Sequence, residues 1–526
     1  MQAKVLMVQG ASSSAGKSLL VTALCHSFAR RSMRVAPFKA QNMSNNAAVC
    51  LDGSEIGRAQ YVQALAAGIT PVVQINPVLI KPESDARAQV VVLGKPFATL
   101  EAGEYYSHRE ELWKHITTAL DHLRSLYDLV IIEGAGSPAE LNLKSGDIVN
   151  MAVACYAKSP VLLVGDVDRG GIFAQLLGTL WLLDPEERAL VRGLVVNKFR
   201  GDFSLFRDGV RILEEKSGIP VLGVIPYLKE LYVPEEDAVA LDTPPFSEHT
   251  PSIEYRAGSI DIAILHLPLI SNFDDFDPFR TDPGVHIRFI TSPDELGSPD
   301  AIIIPGTKGT VSDLAWLRGR KLDRPLIEYA RGGGALVGIC GGYQMLGQCI
   351  RDPQRVEAQE EMTLGLGMLP IETSFLGEKT TSQVRARIWP PEHPAGISNW
   401  MESVRGQDIK GYEIHMGNTL SPSSWLEIVN RNGATVEVND GAISPDGRIW
   451  GCYLHGIFAN QNFRHAWLTS LGWGLGSAQS GTSCIEHLSR SESHPGDSIA
   501  HAISRLTDAV DAAMDMHLLE KIIWEA

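Results

Sequence analysis

The chain has 526 residues, 44% of them hydrophobic, and a formal charge of −16 from 62 acidic and 46 basic side chains. That length exceeds one ordinary core and suits two large domains, while the acidic balance supplies no basic stripe for a broad nucleic-acid face. No apolar run approaches a bilayer span and MQAKVLMVQG lacks the layout of a secretory leader, so a cytoplasmic enzyme without membrane or nucleic-acid partners is expected.

Lys4–Val8 reads as a strand and Lys17–Arg31 as a helix, and between them Gly10–Ser18 spells GASSSAGKS. A Gly-rich turn between strand and helix aims backbone N–H groups at an anion, and the helix N-terminus adds partial positive charge. Gly10, Ser12, Ser13, Ser14, Ala15, Gly16, Lys17 and Ser18 are therefore the candidate ATP-binding loop. Lys17 is expected on the terminal phosphates and the Ser18 hydroxyl on Mg²⁺. Five residues separate the glycines instead of the usual four. A Ser-rich turn capping an ordinary helix is the plain alternative.

Mg²⁺ takes oxygen ligands, so carboxylates at strand ends are the next candidates. Asp52 in CLDGSEIGRAQ, Glu133 after DLVII and Asp166 in VGDVDRGG qualify, with loop-capping as the alternative for each. Lys39, Arg58, Lys81 and Arg87 offer local cations. Leu129–Ile132, Val161–Val164, Gly193–Val196 and Val221–Ile225 read as further buried strands, which implies a parallel sheet between helices. Asn197 follows one of them, where its amide could read an adenine edge. Residues 241–258, rich in Pro, Ser and Thr, read as a linker.

A second alternating series follows in Ile260–Leu265, Val285–Ile290, Ala301–Ile304 and Ala335–Ile339. The expected architecture is two doubly wound α/β domains, at 1–240 and 259–460. In ALVGICGGYQML a strand ends at Cys340, two glycines follow and a helix begins, the sequence form of a nucleophile elbow. The alternative is a buried structural cysteine. A nucleophilic thiol needs a base, and His455 in GCYLHGIF and His415 in GYEIHMG are the two candidates. Gly306 in IIIPGTKGT and Gly341 are expected to form an oxyanion hole. Residues 378–410 read as a loop or an excursion from the sheet. A helical extension is expected over 461–526, with a flexible-looking GSAQSGTS inside it. The seven cysteines (25, 50, 155, 340, 349, 452 and 484) are scattered and form no C-x-x-C pair, which argues against a disulfide framework and a zinc ribbon and fits a reducing compartment.

Taken together, PFKAQNMSNN (37–46), DGSEIGRAQ (52–60), NPVLIKP (76–82), EGAGSPAELNL (133–143), VGDVDRGGIFAQ (164–175), LISNFDDFDPF (269–279), GICGGYQMLG (338–347), GYEIHMG (411–417) and YLHGIF (453–458) resemble the characteristic strings of the cobyric acid synthase family. The N-terminal half resembles the dethiobiotin synthetase-like P-loop fold, whose phosphate loop has the same longer spacing. The resemblance implies that Cys340 is the glutaminase nucleophile and His455 its base, with Ser18, Asp52 and Glu133 around Mg²⁺. It also implies ATP, glutamine and a corrinoid as substrates, with no permanently bound organic cofactor. Triad-type glutamine amidotransferases usually place Glu two residues after this His. Ile457 stands there, as in cobyric acid synthases, which leaves open what orients the imidazole. Oligomeric state is not legible. The rivals are cobyrinic acid a,c-diamide synthase and, in another class, a nucleotide switch with an inert glutaminase-like domain.

Overall fold

The computed structural model describes residues 2–84, 86–229, 231, 233–234, 258–357, 360–392, 400–474 and 499–525. The stretch read as a linker lies outside them apart from Gly258, and GSAQSGTS lies outside them entirely. The chain forms two compact units. One comprises Met1–Ser44, Glu55–Glu236 and Pro495–Ala526, and the other Asn45–Ser54 and Asp237–His494.

The first unit is built on β1 (Lys4–Gly10), β2 (Val35–Phe38), β3 (Leu129–Glu133), β4 (Val161–Asp166), β5 (Val191–Phe199) and β6 (Val221–Pro226). Their order is β6-β5-β4-β1-β3-β2, every pair parallel. Alternate residues of one strand enter different cores, Met7, Val130, Ile132 and Leu163 one and Leu6, Val8, Ile131 and Leu162 the other. Both faces are thus covered, which is why these strands read as unbroken apolar runs.

The sequence reading missed an antiparallel meander, Val78–Pro82, Arg87–Val92 and Lys95–Glu101, joined in parallel by Gln41–Met43. Its tight turn places Leu93 and Gly94 at φ 46° and 76°, the two positive values of a type I′ hairpin. Among the described residues no helix is long and apolar enough to cross a membrane.

In the second unit β7 (Ile260–Leu265), β8 (Val285–Ile290), β9 (Ala301–Ile304) and β10 (Ala335–Ile339) are parallel neighbours in the order β8-β7-β9-β10. An antiparallel ribbon of β11 (Glu372–Ile388) and β12 (Asp408–Leu420) rises beside them. The edge strand β13 (Ala442–Ile443) and the parallel β14 (Ile449–Cys452) complete the main sheet.

Two sequence expectations change here. Much of 378–410 is strand, because Val384, Ala386 and Ile388 point into the core with Arg385 and Arg387 between them. That period of two is easily lost among charged residues. The tail, expected as one extension, divides between the units. Gln461–Ser470 buries Phe463, Trp467 and Leu468 in the second. Ile499–Ala513 and Met516–Glu525 join the first, where Ile503, Leu506 and Val510 share a core with the helix Lys17–Arg30.

Candidate active site

In the first unit the phosphate loop bridges β1 and the helix Lys17–Arg30. Gly16 sits at φ 92°, in the left-handed region, where a Cβ would also collide with the Asn197 amide. Ser14 is left-handed too, at φ 57°. Lys17 folds back over the loop, its Nζ donating to the Gly136 carbonyl at 3.1 Å and the Ser12 carbonyl at 3.5 Å.

The Ser18 hydroxyl donates to Glu133 Oε1 at 2.7 Å. Lys39 Nζ lies 3.0 Å from the same oxygen, and the Gln63 amide donates to Oε2 at 2.5 Å. Burial pushes the Glu133 carboxyl up, but the Lys39 charge and the hydrogen bonds from Gln63, Ser18 and Lys39 together hold it below the usual range. Two oxygen-bearing groups side by side, one anionic, are a donor set that suits Mg²⁺.

Asp52, expected beside them, falls in the second unit. Its exposed carboxylate caps its own turn, accepting the Ser54 N–H at 2.9 Å. Asp166 also takes the capping role, accepting from the Asp168 N–H and from Lys198 Nζ, each at 3.0 Å. The Asn197 amide is turned onto the loop, donating to the Ala15 carbonyl at 2.9 Å. Of the expected cations, Lys39 joins Glu133, Lys81 is buried against Glu55, Arg87 pairs with Glu83 and Arg58 lies over Tyr61. Gln63 was not anticipated. Its signal is a buried amide one helical turn after Gln60 on the short helix Arg58–Ala66.

In the second unit Cys340 stands between β10 and the short helix Gly341–Met345 at φ 51°, ψ −108°. A non-glycine residue holds that conformation only where its surroundings enforce it. Here its N–H donates to the Cys452 carbonyl and the Gly342 N–H to the Pro305 carbonyl, at 2.9 and 3.1 Å. The Cys340 Sγ faces the Ile414 carbonyl at 3.5 Å. Elsewhere, burial pushes the Cys50 thiol up to about 12 and pushes Cys25 and Cys452 well above the ordinary thiol range.

His455 is 1% exposed and follows β14. Its backbone exchanges hydrogen bonds with Tyr412, and its ring stacks on Tyr412 at 5.3 Å. Asp275 Oδ2 meets His455 Nδ1 at 2.7 Å, while Asp275 Oδ1 accepts the Gly456 N–H at 2.7 Å. Burial works against the charged imidazole, yet Asp275 and Cys340 outweigh it and raise its pKa from 6.5 to about 10. Nδ1 is thereby committed to Asp275, and among the described residues no group accepts from or donates to the buried Nε2 within hydrogen-bond distance. That is the arrangement of an acid–base imidazole awaiting a substrate atom.

The carboxylate on His455 is thus Asp275, while Ile457 stands two residues after the His. Sequence alone could not single out Asp275, because Asp274 and Asp277 flank it and 180 residues separate it from His455. His415 instead stacks on Tyr453 at 3.7 Å, with Nδ1 3.1 Å from the Gly417 carbonyl and Nε2 3.6 Å from Glu413 Oε1. The two glycine turns expected at the oxyanion do converge. A Cβ on Gly306 would lie 2.7 Å from His455 Cε1, and one on Gly341 would meet Thr307 at the same distance.

Comparison with known families assigns both halves. The CobQ/CobB/MinD/ParA nucleotide binding domain matches residues 6–238, and the CobB/CobQ-like glutamine amidotransferase domain matches residues 261–463. A cobyric acid synthase from Chloroflexus aggregans is 52% identical over 518 residues, covering 97% of this chain and 100% of that one. Those of Chloroflexus aurantiacus and Roseiflexus castenholzii are 55% and 53% identical, over 90% and 93% of this chain and 93% and 96% of theirs. The chain belongs to the cobyric acid synthase family.

Proposed function

We propose that the chain amidates the b, d, e and g carboxylates of adenosylcobyrinic acid a,c-diamide, one after another, with ammonia from glutamine and activation by ATP. The observation that carries this reading is the Cys340–His455–Asp275 chain in one unit, in a sequence whose other unit holds an intact phosphate loop.

In the glutaminase half the Cys340 sulfur attacks the glutamine carboxamide carbon, and backbone N–H groups near Gly306 and Gly341 receive the developing oxyanion. The imidazolium of His455 delivers its Nε2 proton to the departing nitrogen, so that ammonia leaves and a thioester remains. The neutral imidazole then takes a proton from water, which attacks the thioester and releases glutamate. Asp275 acts through His455, fixing its tautomer and orientation.

In the synthetase half, Lys17 and the loop amides hold the ATP phosphates, while Ser18 and Glu133 would hold Mg²⁺, which supplies charge neutralisation on the nucleotide. A substrate carboxylate oxygen takes the γ-phosphoryl group, because oxide itself is a very poor leaving group. Ammonia adds to the acyl phosphate and inorganic phosphate departs, leaving the amide. The corrinoid is consumed as substrate and no resident organic cofactor enters the reaction.

Incubating the protein with the diamide, MgATP and glutamine tests this by mass spectrometry. Each step exchanges a hydroxyl for an amino group, so the four products appear in series. ATP hydrolysis with no change in corrinoid mass would sink the substrate assignment.

A further inference from the structure

Residues 45–54 come from the N-terminal half of the sequence, yet they pack in the second unit. Ala47, Ala48 and Val49 are buried there against both strands of the β11–β12 ribbon. The Gln383 amide donates to the Val49 carbonyl at 2.6 Å. On the other flank Asn46 and Asn272, each 2% exposed, make a reciprocal pair. The Asn272 N–H donates to Asn46 Oδ1 at 2.7 Å, and the Ala47 N–H donates to Asn272 Oδ1 at 2.9 Å.

Asn272 sits at φ 53°, ψ 42°, a left-handed conformation that asparagine tolerates better than most residues. Its carbonyl accepts the Asp275 N–H at 3.0 Å, so it opens the short helix Phe273–Thr281 that presents Asp275 to His455. One residue earlier, the Ser271 N–H donates to the Gly306 carbonyl at 2.9 Å, which ties the same turn to the loop against the His455 ring. The ribbon on the opposite flank carries Ile414, whose carbonyl faces Cys340 Sγ. One short segment therefore braces the supports of Cys340, His455 and Asp275. Its buried polar pair cannot separate without leaving unsatisfied groups behind.

We propose that Asn46 and Asn272 are positioning residues for the Asp275–His455 pair. Ammonia release then depends on a strap whose flanking strands, Gln41–Met43 and Glu55–Gly57, belong to the nucleotide-binding unit. This rests on the glutaminase reading above.

The test compares Asn46→Ala and Asn272→Gly in the full-length chain, glycine being chosen to keep the left-handed backbone while removing the accepting oxygen. The kcat for glutamine hydrolysis should fall about 10-fold, a fraction of what a misplacement of about 1 Å produces, with KM within about twofold. The basic limb of the pH profile should move to lower pH, and amidation driven by ammonium salts should be unchanged. An unaltered glutaminase kcat and pH profile in both variants would overturn the proposal.

If either variant also loses ammonium-driven amidation, Asn46→Asp decides, because it keeps the accepting oxygen. Glutaminase retained in that variant supports the strap, and a loss equal to that of Asn46→Ala overturns it. A wild-type chain that cannot amidate with ammonium salts would instead defeat the synthetase reading, while the glutaminase comparison stays readable.

Discussion

The phosphate loop and the nucleophile elbow are the same device used for opposite ends. Each joins the C-terminal end of a parallel strand to a helix through a tight turn. In the loop the left-handed positions fall on Gly16 and Ser14, and the turn widens so that backbone donors can surround an anion. In the elbow the unusual conformation falls on Cys340 itself, so that one side chain is forced out toward a partner. Recognition is therefore spread over many N–H groups in the first turn and concentrated in one atom in the second. Single substitutions should hurt them unequally.

The sharpest break is Cys340→Ser, expected to lower glutamine hydrolysis by about 10⁶-fold, the scale of losing a covalent nucleophile. Amidation driven by ammonium salts should survive it. Glutamine hydrolysis that persists would remove the sulfur from the mechanism.

Asp275→Asn comes next, at about 10³-fold in glutaminase kcat, within the range of acid–base catalysis. It also carries a pH signature. The His455 pKa is raised in the folded protein from 6.5 to about 10, so its pairing contributes stability that is full below the unfolded value and lost as pH rises through about 10. Removing the Asp275 charge lowers that upper value. The basic limb of the activity profile and the alkaline limb of the melting curve should both shift to lower pH. A profile that keeps its limbs would show that Asp275 only packs.

Lys17→Ala should reduce amidation by about 10²-fold with glutamine and with ammonium salts alike, because one cation is lost among many loop donors. Glutaminase turnover measured without ATP should not change. A change there would undo the separation of the two turns. Gly306→Ala adds a Cβ 2.7 Å from His455 Cε1 and should lower glutaminase kcat about 10-fold by tilting the ring. An unaltered kcat would mean that the ring yields freely.

How much of this was legible depended on distance along the chain. The loop and the elbow each lie within a dozen residues, and the strands around them are unbroken apolar runs, so both were readable. Asp275 was not, because its meaning is a contact with His455 that only the order of strands creates. Asp52 was expected as a metal ligand because Mg²⁺ takes carboxylates near strand ends, whereas its exposed carboxylate accepts the Ser54 N–H of its own turn. The strand Glu372–Ile388 escaped notice because one face is charged, at Arg385 and Arg387, and a period of two among charges resembles a loop.

The smallest expected effect probes what stands behind the phosphate loop. The helix Lys17–Arg30 begins at that loop and is backed by Ile499–Ala513, with His26 Nδ1 2.9 Å from Thr507 Oγ1 and the Ser27 hydroxyl donating to Asp511 Oδ1 at 2.7 Å. Ser27 is 1% exposed, but Asp511 can turn to water when its donor is removed. Ser27→Ala should therefore destabilise the protein by about 1.5 kcal/mol, at the modest end for a lost hydrogen bond to a charged group. The thermal transition reported by loss of nucleotide binding should move down, and glutaminase kcat at 25 °C should hold. If the two activities instead decline together, the helix behind the loop would support the elbow as well, and the contrast between the turns would rest on chemistry alone.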